Sequence, residues 1–332
     1  MTEGKEIVIY AELLEGRFHR SAFELSGLAR ELADELGGVA SAILLGSGID
    51  GLGIELIHCG IDKVYVADYT ELQNYQPELY TAVIEQVCRE VSPEALIFGH
   101  NLHGTDLAPR LSAKLNSGLV TDCMELRIDS SSKRLHMVRP VYGAKANAVF
   151  TCNSRPAIAT LRSKAVSTPV KNEEREGQLV PIHVNLEGAS HRVRFLKMEK
   201  QETTGIKLED AEVVVSGGRG MKNAENFKQL EELAKLLGGT VAGSRVAIDN
   251  KWLPSNKQVG LTGTIVSPRL YIAVGISGAT QHLVGCALSQ CMVAINNDPE
   301  APIFQRAHYG VIADYQQVIP HVIQMLKESK GK

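Results

Sequence analysis

The sequence predicts an α/β fold with two domains: an N-terminal Rossmann-like domain with added β-strands over residues 1–200, and a C-terminal parallel-sheet domain over residues 201–332. Three observations predict this fold. A chain of 332 residues is too long for one ordinary core and suits two domains of roughly 100 to 200 residues each. In both halves, short apolar runs alternate with segments of helical periodicity. A polar stretch with almost no apolar periodicity, residues 198–210, separates the halves.

The first half has the pattern of a parallel sheet covered by helices. A strand is predicted at EIVIYAE, residues 6–12, followed by apolar residues at helical spacing up to Gly37 and Gly38, which favour a helix stop. Further buried strands are predicted at VASAILL, KVYVAD and EALIFG, with helices between or after them. From about residue 125, hydrophobic and polar residues alternate, which predicts antiparallel strands added to this unit.

The second half repeats the α/β pattern. The second unit begins at AEVVVSGGRG, residues 211–220, where a buried strand is predicted to lead into the SGGRG turn, before a helix that ends at Gly238 and Gly239. Three more short apolar strands are predicted at LYIAVG, CMVAIN and YGVIAD, each leading into polar residues. The carboxyl ends of parallel strands meet at one edge of the sheet, which is where ligands of open α/β folds bind. The polar loops after these strands are therefore the candidate site.

Composition excludes several classes of function. With 35 basic and 38 acidic residues, the net charge of -3 gives no electrostatic reason to expect nucleic acid or an anionic membrane surface. No apolar run approaches the roughly 18 residues of a membrane helix, and the N-terminal residues lack a secretory pattern. We therefore expect a cytoplasmic protein, or a mature organellar one, without membrane insertion. The six cysteines include no C-x-x-C pair, which predicts buried thiols in a reducing compartment, not a metal or iron–sulfur site.

Three loops of the second half combine glycines with polar side chains. SGGRG places Arg219 among three glycines after a buried strand, where backbone N–H groups and a guanidinium could face a phosphate. An ordinary glycine-rich turn is the alternative, since the spacing is not the G-x-G-x-x-G of dinucleotide sites. GSRVAID offers Ser244 and Arg245, and KQVGLTGTIV offers Thr262 between two glycines.

A fourth loop, GISGATQHLVG, residues 275–285, is the strongest candidate of the second half. Ser277 and Gly278 are predicted to open a short helix whose N–H groups suit a pyrophosphate or a ring edge, with Gln281 and His282 able to reach the same ligand.

Two polar residues are predicted to end strands. Asn296 and Asp314 occupy positions typical of ribose or adenine partners in nucleotide domains. Either residue could instead cap the following helix.

Two long motifs together resemble a known family. LYIAVGISGATQHLVG with AINNDPEAPIFQRAHYGVIAD is similar to the signature of the electron-transfer flavoprotein alpha subunit, and SGGRG, GSRVAID and QVGLTG occur in that family's order. The resemblance covers essentially the whole chain, including GHNLHGTDLAPRLSAKL and VRPVYGAKANA, and five ordered loops make it specific. It implies an adenine-nucleotide-hydrolase-like N-terminal domain and a C-terminal domain that holds one FAD.

The resemblance also assigns the cofactor contacts, with no catalytic residue and no metal ligand. In the family the threonine matching Thr262 lies by flavin N5, the histidine matching His282 by the C2 carbonyl, and the arginine matching Arg245 over the isoalloxazine. The implied FAD-binding residues are Arg219, Ser244, Arg245, Val259, Gly260, Leu261, Thr262, Ser277, Gly278, Ala279, Thr280, Gln281, His282, Asn296 and Asp314.

The family implies partners as well. A beta subunit, contacted by the N-terminal domain, would complete a heterodimer and carry AMP or a second FAD. Electrons would come from an acyl-CoA dehydrogenase of fatty acid β-oxidation, a similar flavoenzyme or NADH, and would pass to a quinone oxidoreductase or ferredoxin. The chain would be a redox carrier, and an NADH-oxidising enzyme only if electron-bifurcating. The sequence leaves bifurcation open.

Two other functions fit the sequence less well. A stand-alone FAD- or NAD-dependent oxidoreductase would need an acid–base pair beside the cofactor, and the sequence shows no suggestive H-x-x-x-D or cysteine–histidine arrangement. In a nucleotide-binding regulator without redox chemistry, Arg245 and Thr262 would have no function.

Four residues depart from the commonest family pattern. Leu261 replaces glutamine, Thr280 isoleucine, Asn297 lysine and His308 aspartate. Loss of the glutamine removes a polar group close to the flavin. The resemblance therefore does not predict the reduction potential of the flavin.

Overall fold

The computed structural model of the chain describes residues 5–142, 146–184, 193, 195–198 and 206–330. The chain divides into two compact units, one of Met1–Val141 with Lys145–Met198 and one of Tyr142–Ala144 with Glu199–Lys332. The linker predicted over residues 198–210 lies largely outside the described residues. The predicted α/β class is confirmed, with one parallel sheet in each unit.

The first unit contains twelve strands and four helices among its described residues. The strands are β1 (Glu6–Ala11), β2 (Leu13–Leu14), β3 (Arg17–Phe18), β4 (Val39–Gly46), β5 (Lys63–Asp68), β6 (Ala95–Gly99), β7 (Leu119–Cys123), β8 (Glu125–Ile128), β9 (Leu135–Val141), β10 (Ala146–Phe150), β11 (Ala157–Leu161) and β12 (Gln178–Pro181). The helices are α1 (Arg20–Leu36), α2 (Gly53–His58), α3 (Pro77–Val91) and α4 (Leu102–Lys114).

A seven-stranded parallel sheet in the order β12-β5-β4-β1-β6-β11-β7 forms the centre of the first unit. Alternate residues of β1 enter two cores, Ile7 and Ile9 on the face covered by α1 and Val8 and Tyr10 on the face covered by α3 and α4. The predicted end of α1 is confirmed, since Gly37 takes the left-handed conformation at φ +62. The antiparallel strands are also present, but β8, β9 and β10 form a separate three-stranded sheet.

The second unit holds five strands, four helices and three short 3₁₀ turns among its described residues. The strands are β13 (Val213–Gly217), β14 (Thr240–Gly243), β15 (Leu270–Val274), β16 (Cys291–Asn296) and β17 (Tyr309–Ile312). The helices are α5 (Phe227–Leu236), α6 (Arg245–Asp249), α7 (Thr280–Cys286) and α8 (Tyr315–Lys330). The 3₁₀ turns are Arg219–Met221, Ser255–Lys257 and Pro302–Gln305.

The strands of the second unit form a five-stranded parallel sheet in the order β14-β13-β15-β16-β17. Its two faces carry separate cores, one including Phe227 and Leu230 of α5 and Ile319 of α8, the other including Cys286 of α7 and Ile303. Because the pairs β13–β14, β13–β15, β15–β16 and β16–β17 are all parallel, the strands end at one common edge. This arrangement brings the polar loops of the second half together, as predicted.

Composition predicted buried thiols and gave no indication of a metal site or a membrane span. All six cysteines are free; Cys152 and Cys291 are half-buried and the other four are buried. Among the described residues, no three His, Cys, Asp or Glu side chains are placed to hold a metal ion. In the same part of the chain, every helix is too short or too polar to cross a bilayer.

Candidate functional site

One cavity of about 650 Å³ lies at the carboxyl edge of the second unit's sheet. Five loops line it: residues 219–222 after β13, 244–246 after β14, 258–262, 275–282 after β15 and 296–298 after β16. The loops come together because their strands are neighbours in the sheet.

Most of the residues assigned from sequence line this cavity. They are Arg219, Ser244, Arg245, Val259, Gly260, Leu261, Thr262, Ser277, Ala279, Gln281, His282 and Asn296. Gly278, Thr280 and Asp314 do not line it. Gly278 is buried at φ +88, and a Cβ there would meet the Ile303 backbone nitrogen at 2.3 Å. It therefore shapes the loop from behind.

The predicted start of the helix in this loop is wrong. Helix α7 begins at Thr280, so Ser277 and Gly278 belong to the preceding loop and do not open the helix. The left-handed φ of Gly278 ends the extended chain before the helix can begin. Gln281 and His282 fall within the first turn of α7 and still line the cavity.

Sequence reasoning missed several lining residues. These are Gly220, Lys222, Val246, Gln258, Gly275, Ile276 and Asp298. Gln258 lies within the recognised motif KQVGLTGTIV and Lys222 lies two residues after SGGRG, so their polar character beside a glycine-rich loop was an available signal. The direction in which the Lys222 side chain points could not be read from the sequence, because it depends on a left-handed backbone at φ +68.

Two glycines let the first and fourth loops touch. The Gly220 N–H donates to the Gly275 carbonyl at 2.9 Å. A Cβ on Gly275 would meet the Gly220 Cα at 2.9 Å, and Gly275 has φ +60. Both positions therefore require glycine, and their contact closes one side of the cavity.

The cavity wall carries an excess of positive charge. Arg219, Lys222 and Arg245 contribute cations, whereas Asp298 contributes one carboxylate. The Arg245 side chain is 70% exposed and only loosely paired with Asp249 at 3.5 Å, so it is free to bind a ligand at little energetic cost. This charge balance suits an anionic ligand.

His282 is the most deeply buried polar side chain of the cavity wall, at 6% exposure. Its Nε2 lies 2.9 Å from the hydroxyl of Tyr271, a residue of β15 that is itself fully buried. Burial lowers the pKa of His282 to about 4, and a contact between the ring and the Val259 backbone opposes the shift. The other ring nitrogen, Nδ1, makes no hydrogen bond of standard geometry in the described part of the chain. A buried nitrogen without a partner is unfavourable and would be satisfied by a ligand.

The two strand-end residues make local hydrogen bonds. Asn296 donates to the Ile276 carbonyl at 2.9 Å and accepts from the Asp298 N–H at 3.0 Å. Asp314 accepts from the Gln316 N–H at 2.9 Å, which is the capping role that the sequence left as an alternative. Asp314 also lines a small cavity of about 80 Å³ that shares Lys222 and Asn296 with the large one.

Comparison with known protein families identifies the chain. The family described as "Electron transfer flavoprotein domain" matches residues 7–186, and that described as "Electron transfer flavoprotein FAD-binding domain" matches residues 207–287. The chain belongs to the electron-transfer flavoprotein alpha subunit family. The second match contains four of the five cavity loops, and FAD is the cofactor of this chain.

Relatives of this alpha subunit match nearly all of the chain. The electron transfer flavoprotein subunit alpha of Thermoanaerobacterium thermosaccharolyticum is 39% identical over 331 residues, covering 99% of this chain and 100% of the relative. The electron transfer flavoprotein subunit alpha of Megasphaera elsdenii is 39% identical over 334 residues, covering 100% of this chain and 99% of the relative. The lactate dehydrogenase (NAD(+),ferredoxin) subunit LctC of Acetobacterium woodii is 36% identical over 322 residues, covering 97% of this chain and 77% of the relative.

The cavity of this alpha subunit fits FAD on its own geometry. Its volume of about 650 Å³ lies within the roughly 300 to 1,000 Å³ of small-molecule and cofactor sites. The cations on its wall match the negative charge of a diphosphate. The unpartnered Nδ1 of His282 matches a polar edge of a ring.

Proposed function

We propose that this chain is the alpha subunit of a heterodimeric electron-transfer flavoprotein that carries electrons between a dehydrogenase and a downstream acceptor. The observation that carries the proposal is the convergence of five separate loops on one cavity with three cations and one carboxylate. FAD, when bound, accepts and releases electrons one or two at a time. The chain's own residues bind the cofactor, orient it and set the charge around it.

The cationic residues are proposed to hold the negatively charged part of the cofactor. Arg219 and Lys222 lie on the loop after β13, which also contacts Gly275. A guanidinium and an ammonium form charge-assisted hydrogen bonds with phosphate oxygens. Asp314, on the small adjoining cavity with Lys222, is proposed to contact the nucleotide end.

Thr262, Arg245 and His282 are proposed to act at the ring. The Thr262 hydroxyl accepts a hydrogen bond from Gln258 at 2.9 Å and keeps its own proton for the cofactor. Arg245 supplies positive charge, and His282 supplies a ring nitrogen. Donors and positive charge placed where a ring gains negative charge on reduction raise its potential. Val259 and Ile276 are buried apolar residues of the wall and exclude water.

The other parts of the carrier follow from the family. The N-terminal domain, proposed as residues 1–200, would contact a beta subunit that holds AMP or a second FAD. The donor is proposed to be an acyl-CoA dehydrogenase or a similar flavoenzyme, and the acceptor a quinone oxidoreductase or ferredoxin. A cytoplasmic location is proposed because the six free thiols would stay reduced there.

A second candidate function is an electron-bifurcating carrier that oxidises NADH. The name of LctC, a lactate dehydrogenase (NAD(+),ferredoxin) subunit, favours it, because that relative works with both a nicotinamide and ferredoxin. The two candidates differ in one assay. The purified heterodimer is mixed with NADH, ferredoxin and a flavoenzyme acceptor. A bifurcating form reduces ferredoxin only when the acceptor is present, whereas a simple carrier reduces no ferredoxin from NADH.

Coexpression with a beta-subunit gene tests the main proposal. We expect a yellow heterodimer with a flavin spectrum and FAD bound in the second unit of this chain. The double variant Arg219→Glu, Lys222→Glu should lose that FAD, because two cations of the wall become anions. The control Lys235→Glu, Arg269→Glu makes the same charge change away from the cavity and should keep it. A colourless heterodimer that binds only AMP would refute the proposal.

A further inference from the structure

The hydrogen bond between Tyr271 and His282 leaves one question about where its proton lies. Either the tyrosine hydroxyl donates to Nε2, or a protonated Nε2 donates to the hydroxyl oxygen. The two cases place the second proton of the imidazole ring differently. They therefore decide whether Nδ1 is a donor or an acceptor.

The surroundings of Tyr271 favour donation by the hydroxyl. If Nε2 donated, the fully buried hydroxyl would need another acceptor for its own proton. The Ser216 hydroxyl forms no hydrogen bond of standard geometry. Burial raises the pKa of Tyr271 and the contact with Ser216 lowers it, as a donor to the tyrosine oxygen does. The Cys286 thiol is a weak acceptor and lies 3.6 Å and 3.7 Å from the carbonyl oxygens of His282 and Leu283. Among the described residues, Nε2 is the strong acceptor within reach of the hydroxyl.

The ring of His282 is neutral in this environment, because burial disfavours the charged form. A neutral imidazole has one N–H. If Nε2 accepts from Tyr271, that N–H is at Nδ1, the ring nitrogen without a partner on a side chain that lines the cavity. The cavity then presents a donor at this point.

We propose that Tyr271 is a positioning residue that holds His282 in the Nδ1–H tautomer, so that the ring offers a hydrogen-bond donor to an acceptor atom of the cofactor. The inference rests on the proposed function, which makes that ligand FAD, and goes beyond it by assigning a role to a residue that does not line the cavity. Without the hydroxyl, both tautomers become accessible. A bare Nδ1 lone pair would then repel the same acceptor atom.

The experiment is ¹⁵N–¹H correlation spectroscopy of the full chain, labelled with [¹⁵N]histidine and purified with its partner, before and after removal of FAD. Ten histidines contribute signals, and the variant His282→Gln identifies those of His282. The wild-type protein should show a protonated Nδ1 and an unprotonated Nε2. A protonated Nε2 in the wild type would overturn the proposal.

The variant Tyr271→Phe keeps the ring and removes only the hydroxyl. We expect the ratio of the Nδ1–H to the Nε2–H tautomer to fall at least about fivefold, the factor that corresponds to one ordinary hydrogen bond. The matched control is Tyr80→Phe, which removes another buried hydroxyl, one that donates to the Leu72 carbonyl at 2.8 Å in the first unit. It should leave the His282 signals unchanged. An unchanged ratio in Tyr271→Phe would refute the role of Tyr271.

The wild-type tautomer decides the question even if Tyr271→Phe does not fold, because its measurement needs no variant of Tyr271. Failure of the inference and failure of the proposed function are also separable. A flavin-bearing heterodimer in which Nε2 is protonated refutes only the inference about Tyr271. A heterodimer that never carries FAD refutes the proposed function, whichever tautomer His282 adopts.

Discussion

The side-chain amide nitrogen of Gln258 lies 2.9 Å from the hydroxyl oxygen of Thr262, and both residues line the cavity. An amide nitrogen can only donate, so the threonine oxygen accepts and its proton remains available. The two side chains are four residues apart on one loop. The loop thereby leaves a hydroxyl donor on the cavity wall.

The first prediction concerns this pair. Thr262→Val should weaken FAD binding by about fivefold to thirtyfold, since a hydrogen bond of roughly 1 to 2 kcal/mol is lost. Gln258→Leu should have a smaller effect because it frees the donor without removing it. Binding is measured by FAD titration of the cofactor-free heterodimer. Thr264→Val makes the same change beside the cavity, outside its wall, and should bind FAD as the wild type does. Equal weakening in Thr264→Val would contradict the assignment.

The second prediction concerns the potential of the bound cofactor. His282→Ala removes a donor from the wall and should lower the first reduction potential. Loss of a hydrogen bond to a charged group, roughly 1.5 to 3 kcal/mol, corresponds to a shift of about 65 to 130 mV for one electron. Spectroelectrochemical titration measures it. His321→Ala changes an exposed histidine on α8 and should not move the potential. A wild-type potential in His282→Ala would refute the contact.

The third prediction separates binding from stability at Arg245. The Arg245 side chain is 70% exposed and 3.5 Å from Asp249. Arg269 is a close match, 74% exposed and 3.6 Å from Glu212. Exposed pairs of this kind contribute about 0 to 1 kcal/mol, so Arg245→Gln and Arg269→Gln should leave the unfolding free energy nearly unchanged. Only Arg245→Gln should weaken FAD binding. If both variants bind FAD equally well, Arg245 is not a contact.

The fourth prediction tests the contact of Gly220 with Gly275. Gly275→Ala places a Cβ 2.9 Å from the Gly220 Cα at φ +60, whereas Gly238→Ala meets nothing within 4 Å at φ +68. Gly238→Ala should therefore lose only the roughly 1 to 2 kcal/mol of a left-handed conformation, and Gly275→Ala clearly more. The fluorescence of Trp252, the single tryptophan, reports chemical unfolding of the cofactor-free second unit. Equal losses would show that the two loops do not need to touch.

The fifth prediction concerns a buried carboxyl in the first unit. Glu12 is 4% exposed, accepts a hydrogen bond from the Asn101 side chain, and lies 3.4 Å from Nδ1 of His103. Burial raises the pKa of Glu12 to about 7. The unfolded chain loses this proton near its ordinary value of 4.5, so the folded state binds more protons between those pH values and stability falls as the pH rises through them.

The variant Glu12→Gln has no carboxyl to ionise at this position, so it avoids the fall in unfolding free energy that the wild type shows as the pH rises. Its gain in unfolding free energy over the wild type should grow between pH 5 and pH 8, to at most about 3 kcal/mol. Chemical unfolding followed by circular dichroism at both pH values measures the difference. The control Glu35→Gln changes an exposed glutamate of α1 and should show no such growth. A gain that is independent of pH would show that Glu12 is already ionised in the folded protein.

The order of apolar and polar residues by itself determined the fold class and most of the elements. Apolar runs predicted β1, β4, β5 and β15 because buried parallel strands need continuous hydrophobic residues. Helical spacing predicted α1 and α5, and a glycine in the left-handed conformation ends α1 as expected. The five polar loops were also readable, because parallel strands deliver their following residues to one edge.

Only the tertiary structure decided which side chains meet. The true start of α7, the direction of Lys222 and the bond between Gln258 and Thr262 depend on backbone turns that the residue pattern leaves open. The bond between Tyr271 and His282 joins a strand to a helix through buried side chains, and neither residue's local sequence signals it. Periodicity reports which face of an element is buried. Hydrogen-bond partners depend on distances between elements, and those are set by packing.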